Sequence, residues 1–229
     1  MKYDNLKRAK FLSRPNRFIA NIEIDGQKEI CHVKNTGRCK ELLVPNATIY
    51  VQEVHSEHRK TKYDLISVYK GERLVNIDSQ VPNQVFHEWV VSSDLLPKIK
   101  LIKPEYKYRT SRFDFYIETT EDNILVEVKG VTLEEKGVVL FPDAPTKRGV
   151  KHITQLISSL SEGYQAYIVF IIQMKDVVYF TPNIKTHQAF GDILKAAHHM
   201  GVQIKALDCQ VTKNSITAGD FVEVRLDGY

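Results

Sequence analysis

The chain has 229 residues, 43% of them hydrophobic and 26% charged, and a formal net charge of +4. That balance is ordinary for a globular protein and excludes collagen-like, mucin-like and largely disordered chains. Mean hydropathy is −0.28, and no run approaches the ~20 apolar residues a membrane span needs. The basic start lacks the apolar stretch of a secretory signal, so the expected compartment is the cytoplasm, with no membrane partner. Three cysteines (Cys31, Cys39, Cys209) are too few and too odd in number for a disulfide framework.

The charge is unevenly spread. Residues 1–80 hold 15 Lys/Arg against 10 Asp/Glu, and the first forty residues hold 10 against 4. Such clustering makes either a solvated basic face or a surface for a polyanion.

In chain order, residues 17–24 alternate loosely and read as a strand, closed by the turn-forming Asp25-Gly26. Glu29 to Val33, Ala47 to Val51, Lys62 to Val68 and Arg73 to Ile77 read as further short strands. Several strands in about eighty residues predict a small β-barrel or sandwich. The pattern changes after Pro82. Asn83 to Leu96 reads as a helix closed by Pro97. Arg109 to Glu118 and Asn123 to Val128 read as a hairpin. Residues 130–147 read as a long irregular segment, a length that is uncommon unless functional or disordered. Thr146 to Leu160 is helical, with Val150, Ile153, Ile157 and Leu160 spaced for one face and Gly163 placed to cap its end. Ala166 to Ile172 is the apolar run of a strand buried on both faces. Asp176 to Thr181 and Val202 to Leu207 read as strands around a helix from Ile184 to Met200. The reading is α/β (α+β overall), with a β module at 1–80 and an α/β module at 81–229.

The chemistry concentrates in the hairpin. Glu127 and Lys129 are two apart on a strand and share one face. A turn at Glu121-Asp122 sets Asp114 opposite Lys129 and one diagonal step, ~7–8 Å, from Glu127. Two carboxylates offer hard oxygen ligands to Mg²⁺ or Mn²⁺, and a lysine beside them suits phosphodiester hydrolysis. The same triplet also fits two surface carboxylates and a salt-bridging lysine. Glu88, on the preceding helix, is a further candidate ligand. The helix after the site opens with Lys147, Arg148, Lys151 and His152, and its N-terminus suits a phosphate. The i,i+4 pair Arg148/His152 is placed on its exposed side, and Gln155 one turn further on is a candidate for positioning a water. His32-Val33-Lys34-Asn35-Thr36-Gly37-Arg38 reads as a turn or an anion-binding nest. Cys31, His32 and Cys39 hint at zinc but lack a second ligand pair.

Asn16-Arg17-Phe18, His32-Val33-Lys34-Asn35-Thr36-Gly37-Arg38, Glu41-Leu42-Leu43, Pro82-Asn83, Arg112-Phe113-Asp114, Glu127-Val128-Lys129-Gly130-Val131-Thr132-Leu133, Phe141-Pro142-Asp143-Ala144 and Thr146-Lys147-Arg148-Gly149 occur in this order. As a set they resemble the sugar fermentation stimulation protein A family, from about residue 11 to the C-terminus. The resemblance implies an OB-fold-like β-barrel joined to a restriction-endonuclease-like domain of the PD-(D/E)XK type, with a mixed sheet flanked by helices. It implies DNA as partner and a regulatory link to sugar (maltose) metabolism. It places Asp114, Glu127 and Lys129 in the catalytic positions, with Asp114, Glu127 and Glu88 toward the metal. Phe113 stands where nucleases of this type often have proline. Arg17, Lys34, Asn35, Arg38, Lys147, Arg148 and Lys151 are the candidate DNA contacts, Phe18, Tyr50 and Tyr63 the candidate stacking aromatics. Three readings stay open: a Mg²⁺-dependent nuclease, a DNA-binding regulator that does not cut, and a sugar-metabolism enzyme suggested by the family's name alone. DNA binding is compatible with association with the nucleoid, and the sequence leaves homodimerisation open.

Overall fold

Alternation of inward apolar and outward polar residues builds the first half. The computed structural model describes residues 1–35, 37–55 and 59–227; Thr36 of the Asn-Thr-Gly run lies outside them. Six strands come first: β1 (Leu6–Asn16), β2 (Ile19–Ile24), β3 (Gln27–Val33), β4 (Thr48–Glu53), β5 (Tyr63–Lys70) and β6 (Arg73–Asn76). β1 pairs with β2 and β4, β2 with β3, and β4 with β5, all antiparallel. β3 then meets β5 in parallel and closes a five-stranded, OB-like barrel. Phe11, Ile22, Val33, Ile49 and Leu65 fill it.

The sequence did not announce β1, because Lys7, Arg8 and Lys10 mask its alternation. Ala9 and Phe11 nevertheless point inward. Lys7 pairs across to Glu53 at 2.9 Å and Lys10 to Glu23 at 3.4 Å. Part of the basic excess of the first forty residues is therefore balanced within the barrel wall. β5 is buried from Tyr63 to Val68, because the barrel interior covers one face and the second module the other. Its Asp64 is tolerated there because Arg59, Lys34 and His32 surround it. Burial pushes that carboxyl up, but Arg59 and Lys34 outweigh it and hold the group below the usual carboxylate range.

The second half comprises α1 (Val81–Ser92), β7 (Ile99–Tyr108), β8 (Ser111–Thr119), β9 (Asn123–Val131), β10 (Glu134–Glu135), β11 (Val138–Phe141), α2 (Lys147–Leu160), β12 (Gln165–Ile172), β13 (Tyr179–Pro182), α3 (Gln188–His199), β14 (Gln203–Thr212), β15 (Ser215–Phe221) and β16 (Glu223–Val224). The large sheet is mixed, in the order β15-β14-β12-β9-β8-β7. β9, β12 and β14 run parallel. A small sheet, β10-β11-β13-β16, lies beside it. One apolar cluster runs from the barrel interior to the layer under α2 and α3. A second joins α1, through Val81, Val85, Phe86 and Val90, to Phe115, Ile117, Val126 and Val128. Among the described residues no helix is long and apolar enough to cross a membrane.

Three expectations change. α1 ends at Ser92 rather than Leu96, because the Ser92 and Ser93 hydroxyls bond back to the carbonyls of Glu88, Trp89 and Val90 and compete with the helical ladder. β7 occupies a stretch with no strand expectation of its own. The segment 130–147 is not irregular throughout: Val138 to Phe141 pairs in parallel with β13.

Gly130 locks α1 onto the sheet. A Cβ there would stand 2.6 Å from Pro82 Cγ and 2.7 Å from Gln173 Oε1. Pro82 belongs to a rigid helix start. Gln173 is held by Asn76 Oδ1 at 3.0 Å and the Asp78 carbonyl at 2.9 Å. Gly130→Ala is expected to cost roughly 1–3 kcal/mol, the range for overpacking a filled site. Thermal unfolding followed by circular dichroism checks this; an unchanged Tm contradicts the packing account.

Candidate active site

The site lies where β8 and β9 part. Thr119 makes the hairpin turn: its N–H donates to the Asp122 carbonyl at 2.9 Å, and its Oγ1 accepts from the amides of Glu121 and Asp122. Pairing then runs from Glu118↔Asn123 to Phe115↔Val126. Continuing that register sets Asp114 opposite Glu127, not Lys129 as expected. The turn is centred one residue earlier than the sequence reading placed it, which shifts the pairing register by two. A shift of two preserves which side chains share a face, where a shift of one would have reversed it.

At Asp114 the ladder stops and the side chain takes over. Asp114 Oδ2 accepts the Val128 amide at 2.7 Å, and Oδ1 accepts Asn83 Nδ2 from α1 at 2.9 Å. Pro82, packed on Gly130, fixes the helix turn that delivers Asn83. Glu127 is buried. Its Oε1 takes Lys129 Nζ in a direct ion pair and accepts from His152 Nδ1 at 2.6 Å. Arg148 Nε donates to His152 Nε2 at 3.4 Å, so the ring proton sits on Nδ1 and points at Glu127. Oε2 of Glu127 is buried with no hydrogen-bond partner.

The electrostatics follow from this packing. Burial first, then the neighbouring Glu127 charge, push the Asp114 carboxyl above its usual range. Burial acts the same way on Glu127, but His152 and Lys129 outweigh it and hold that group down. Two carboxylates thus face each other in a poorly solvated place with Lys129 between them in charge.

Glu88 does not join them. Its carboxylate accepts from the Met1 ammonium at 2.6 Å and from Gln84 Nε2 at 3.0 Å. Five residues along a helix turn Glu88 well away from the direction of Asn83. Among the described residues no three His, Cys, Asp or Glu side chains form a metal-binding group, at Cys31-His32-Cys39 or elsewhere. The three thiols are buried and free.

The candidate DNA contacts separate into two sets. Lys34 is committed inward, to Asp78 at 3.2 Å and Asp64 at 3.4 Å, and is no surface cation. Lys151 Nζ holds the Thr110 carbonyl at 3.0 Å, and Gln155 Nε2 holds Thr110 Oγ1 at 2.8 Å. Asn35 Oδ1 accepts the Gly37 amide at 2.7 Å. Arg17, Arg38, Lys147 and Arg148 are exposed. Asn35 also lines a cavity of about 190 Å³ between the modules, with Gly37, Ser79, Gly130 and Asp143.

Four residues of the site were missed or misplaced in the sequence. His152 is buried, not on the exposed side of α2, because the inward stripe is Gly149, His152, Ile153, Leu156 and Ser159. Asn83 carries no signal beyond its place after proline. Arg14 grips the carbonyls of Arg17, Asn35, Gly37 and Arg38 at 2.6–2.9 Å, and so shapes the loop after β3. Asp143 Oδ2 accepts the Arg38 amide at 3.2 Å and ties that loop to the second module.

Residues 12–77 match the family model described as the SfsA N-terminal OB domain, and residues 80–215 match the sugar fermentation stimulation protein RE domain. The chain belongs to the sugar fermentation stimulation protein family. A family member from Desulfitobacterium hafniense, a sugar fermentation stimulation protein homolog, is 64% identical over 226 residues, which is 99% of each chain. A homolog from Clostridium beijerinckii is 59% identical over 226 residues, 99% of this chain and 100% of that one. Among solved structures, SfsA from Pyrococcus furiosus in complex with Ca²⁺ is 30% identical, with a TM-score of 0.88 over 98% of each chain.

Proposed function

We propose that this protein binds DNA and hydrolyses its phosphodiester bonds with the help of a divalent cation, Mg²⁺ or Mn²⁺. The observation that carries the reading is the pairing of Asp114 with Glu127 at the fork. One carboxylate is raised by burial and its neighbour's charge, and the other keeps a buried oxygen without a partner. A buried, unpartnered anionic oxygen is costly unless a cation satisfies it. The donor set fits: two carboxylates and no thiol suit a hard, oxygen-seeking ion that keeps several waters. The Ca²⁺ bound by the relative from P. furiosus supports the same class of ion.

Asp114 and Glu127 would hold the cation, which when bound supplies charge neutralisation at a phosphoryl oxygen and a more acidic water. The chain's own residues do the rest. Asn83 and the Val128 amide fix the Asp114 rotamer, so one oxygen direction stays constant. The Arg148–His152–Glu127 chain holds the Glu127 carboxylate in one orientation. Lys129, beside both carboxylates, donates to the phosphoryl oxygen and offsets the charge that grows as water adds to phosphorus and the leaving oxygen departs. The exposed Lys147 and Arg148, at the start of α2, draw the flanking phosphates toward the site. Under this reading the family's link to sugar (maltose) metabolism acts through DNA.

The test is incubation of the purified protein with single-stranded and duplex DNA in Mg²⁺, Mn²⁺ or EDTA. Metal-dependent fragments are expected. Salt-sensitive gel shifts over intact DNA in every buffer would leave a binder that does not cut.

A further inference from the structure

The barrel carries a second constellation, away from the carboxylates. Arg14, Asn16, Arg17, Arg38, Lys40 and Leu43 line a cavity of about 510 Å³, the size of a small-molecule pocket. Its cations stay clear of the ion pairs that hold many of the barrel's others; Arg8, Lys28 and Lys62, likewise without an acidic partner among the described residues, do not line it. Lys7, Lys10, Lys34, Arg59, Lys70 and Arg73 all have acidic partners. Arg17, Arg38 and Lys40 have none among the described residues. Arg14 spends both terminal nitrogens on loop carbonyls and holds the wall in place.

At the rim stands Phe18, 50% exposed. Asn16 Oδ1 accepts the amides of Phe18 and Ile19 at 2.9 and 3.0 Å, and this tight turn presents the ring outward. Among the described residues the ring face meets the Arg17 guanidinium, 5.8 Å from the centroid. The similarly exposed Phe221, by contrast, packs edge-on against Trp89. The cavity also shares Gly37 with the inter-module cavity whose wall includes Gly130, the residue after Lys129.

We propose that this cavity is a subsite for single-stranded DNA, with Arg17, Arg38 and Lys40 taking backbone phosphates and Phe18 taking the face of an unpaired base. The inference rests on DNA being the substrate and adds the strand state. A duplex hides its base faces and offers an exposed ring nothing to stack on, whereas an unpaired base offers a full π-face. The route past Gly37 and Gly130 then brings the strand unpaired to Lys129.

The test is fluorescence anisotropy with the full-length protein in EDTA, the probes compared at one salt concentration and the unmodified and Arg38→Ala proteins also followed across a salt series. The probes are a labelled run of about twenty thymidines, longer than the ~4–16 nucleotides an OB fold spans, and a duplex of equal length. The single strand is expected to bind at least ~10-fold more tightly than the duplex. Phe18→Ala is expected to weaken the single strand about 5- to 150-fold, the reach of one stacked base, and to leave the duplex unchanged. Arg38→Ala is expected to lower the salt slope by about 0.7, one phosphate contact on a single strand. Equal affinity for both probes, or Phe18→Ala binding as the unmodified protein does, overturns the subsite while metal-dependent cleavage still stands on its own assay. Absence of binding to either probe together with absence of cleavage overturns both.

Discussion

Glu127→Gln is expected to cut the rate of the proposed Mg²⁺-dependent DNA cleavage by about 10²–10³-fold, the loss that follows when one preorganised electrostatic contact to a transition state is removed. The substitution keeps the side chain's shape. His152 Nδ1 still has an oxygen to donate to, so the β9–α2 packing survives. What disappears is the negative charge, both on the buried, unpartnered Oε2 and opposite Lys129. Lys129→Ala is expected to bring a loss of the same size for a different reason: the ammonium proposed to offset phosphoryl charge is gone. It also leaves Glu127 with His152 as its remaining partner, so this variant is the less stable of the two. Glu88→Gln is the control. Its carboxylate serves the Met1 ammonium and Gln84, and the cleavage rate is expected to stay within a factor of two or so, a change worth well under ~1 kcal/mol. Initial rates on a labelled oligonucleotide, with circular dichroism to confirm folding, check all three. A full-rate Glu127→Gln protein would remove Glu127 from the chemistry.

The second large effect is on stability. Saturation with Mg²⁺ or Mn²⁺ at about a hundred times its dissociation constant is expected to stabilise the fold by ~2.7 kcal/mol, which for a chain of this size would raise Tm by roughly 5–10 °C. The increment depends on pH through Asp114, whose carboxyl sits above its usual range because of burial and Glu127. A raised acid binds its proton more tightly folded than unfolded, so the metal-free protein loses stability as pH rises through that folded value. A cation reverses this. The metal-induced rise in Tm is therefore full at neutral pH and disappears as pH falls below the folded Asp114 value. Asp114→Asn removes the like-charge contact. Its metal-free Tm is expected to equal or exceed that of the unmodified protein, while its response to metal is lost. Differential scanning fluorimetry across pH, with and without metal, separates these outcomes. A Asp114→Asn protein that still gains the full increment would place the cation elsewhere.

Local signals made much of this architecture legible. The apolar run at Ala166–Ile172 is β12, buried in the middle of the large sheet. β2 and β4 alternate as their residues suggest, and parity alone put Glu127 and Lys129 on one face. Charge hid β1, whose lysines pair with Glu53 and Glu23 on neighbouring strands and so could not be sorted without the partners. The hairpin register depended on where Thr119 folds the turn, a choice between neighbouring polar residues that differ little in turn propensity. Long-range contacts were beyond reach. Asn83 meets Asp114 across 31 residues, His152 meets Glu127 across 25, and Met1 draws Glu88 away across 87. Spacing constrains a strand or a helix, but which helix face meets which strand is decided by packing between elements far apart in the chain. Lys34 shows the same limit: in the sequence it is one more cation of a basic run, and in the fold it neutralises Asp64 and Asp78.

Crystals soaked in Mn²⁺ and measured at the manganese edge test the central claim most directly. An anomalous peak bonded to Asp114 Oδ1 and Glu127 Oε2, at roughly the 2.0–2.2 Å expected for such oxygen ligands, is the predicted result. A peak bonded to other side chains, with these two oxygens left unligated at saturating Mn²⁺, would contradict it.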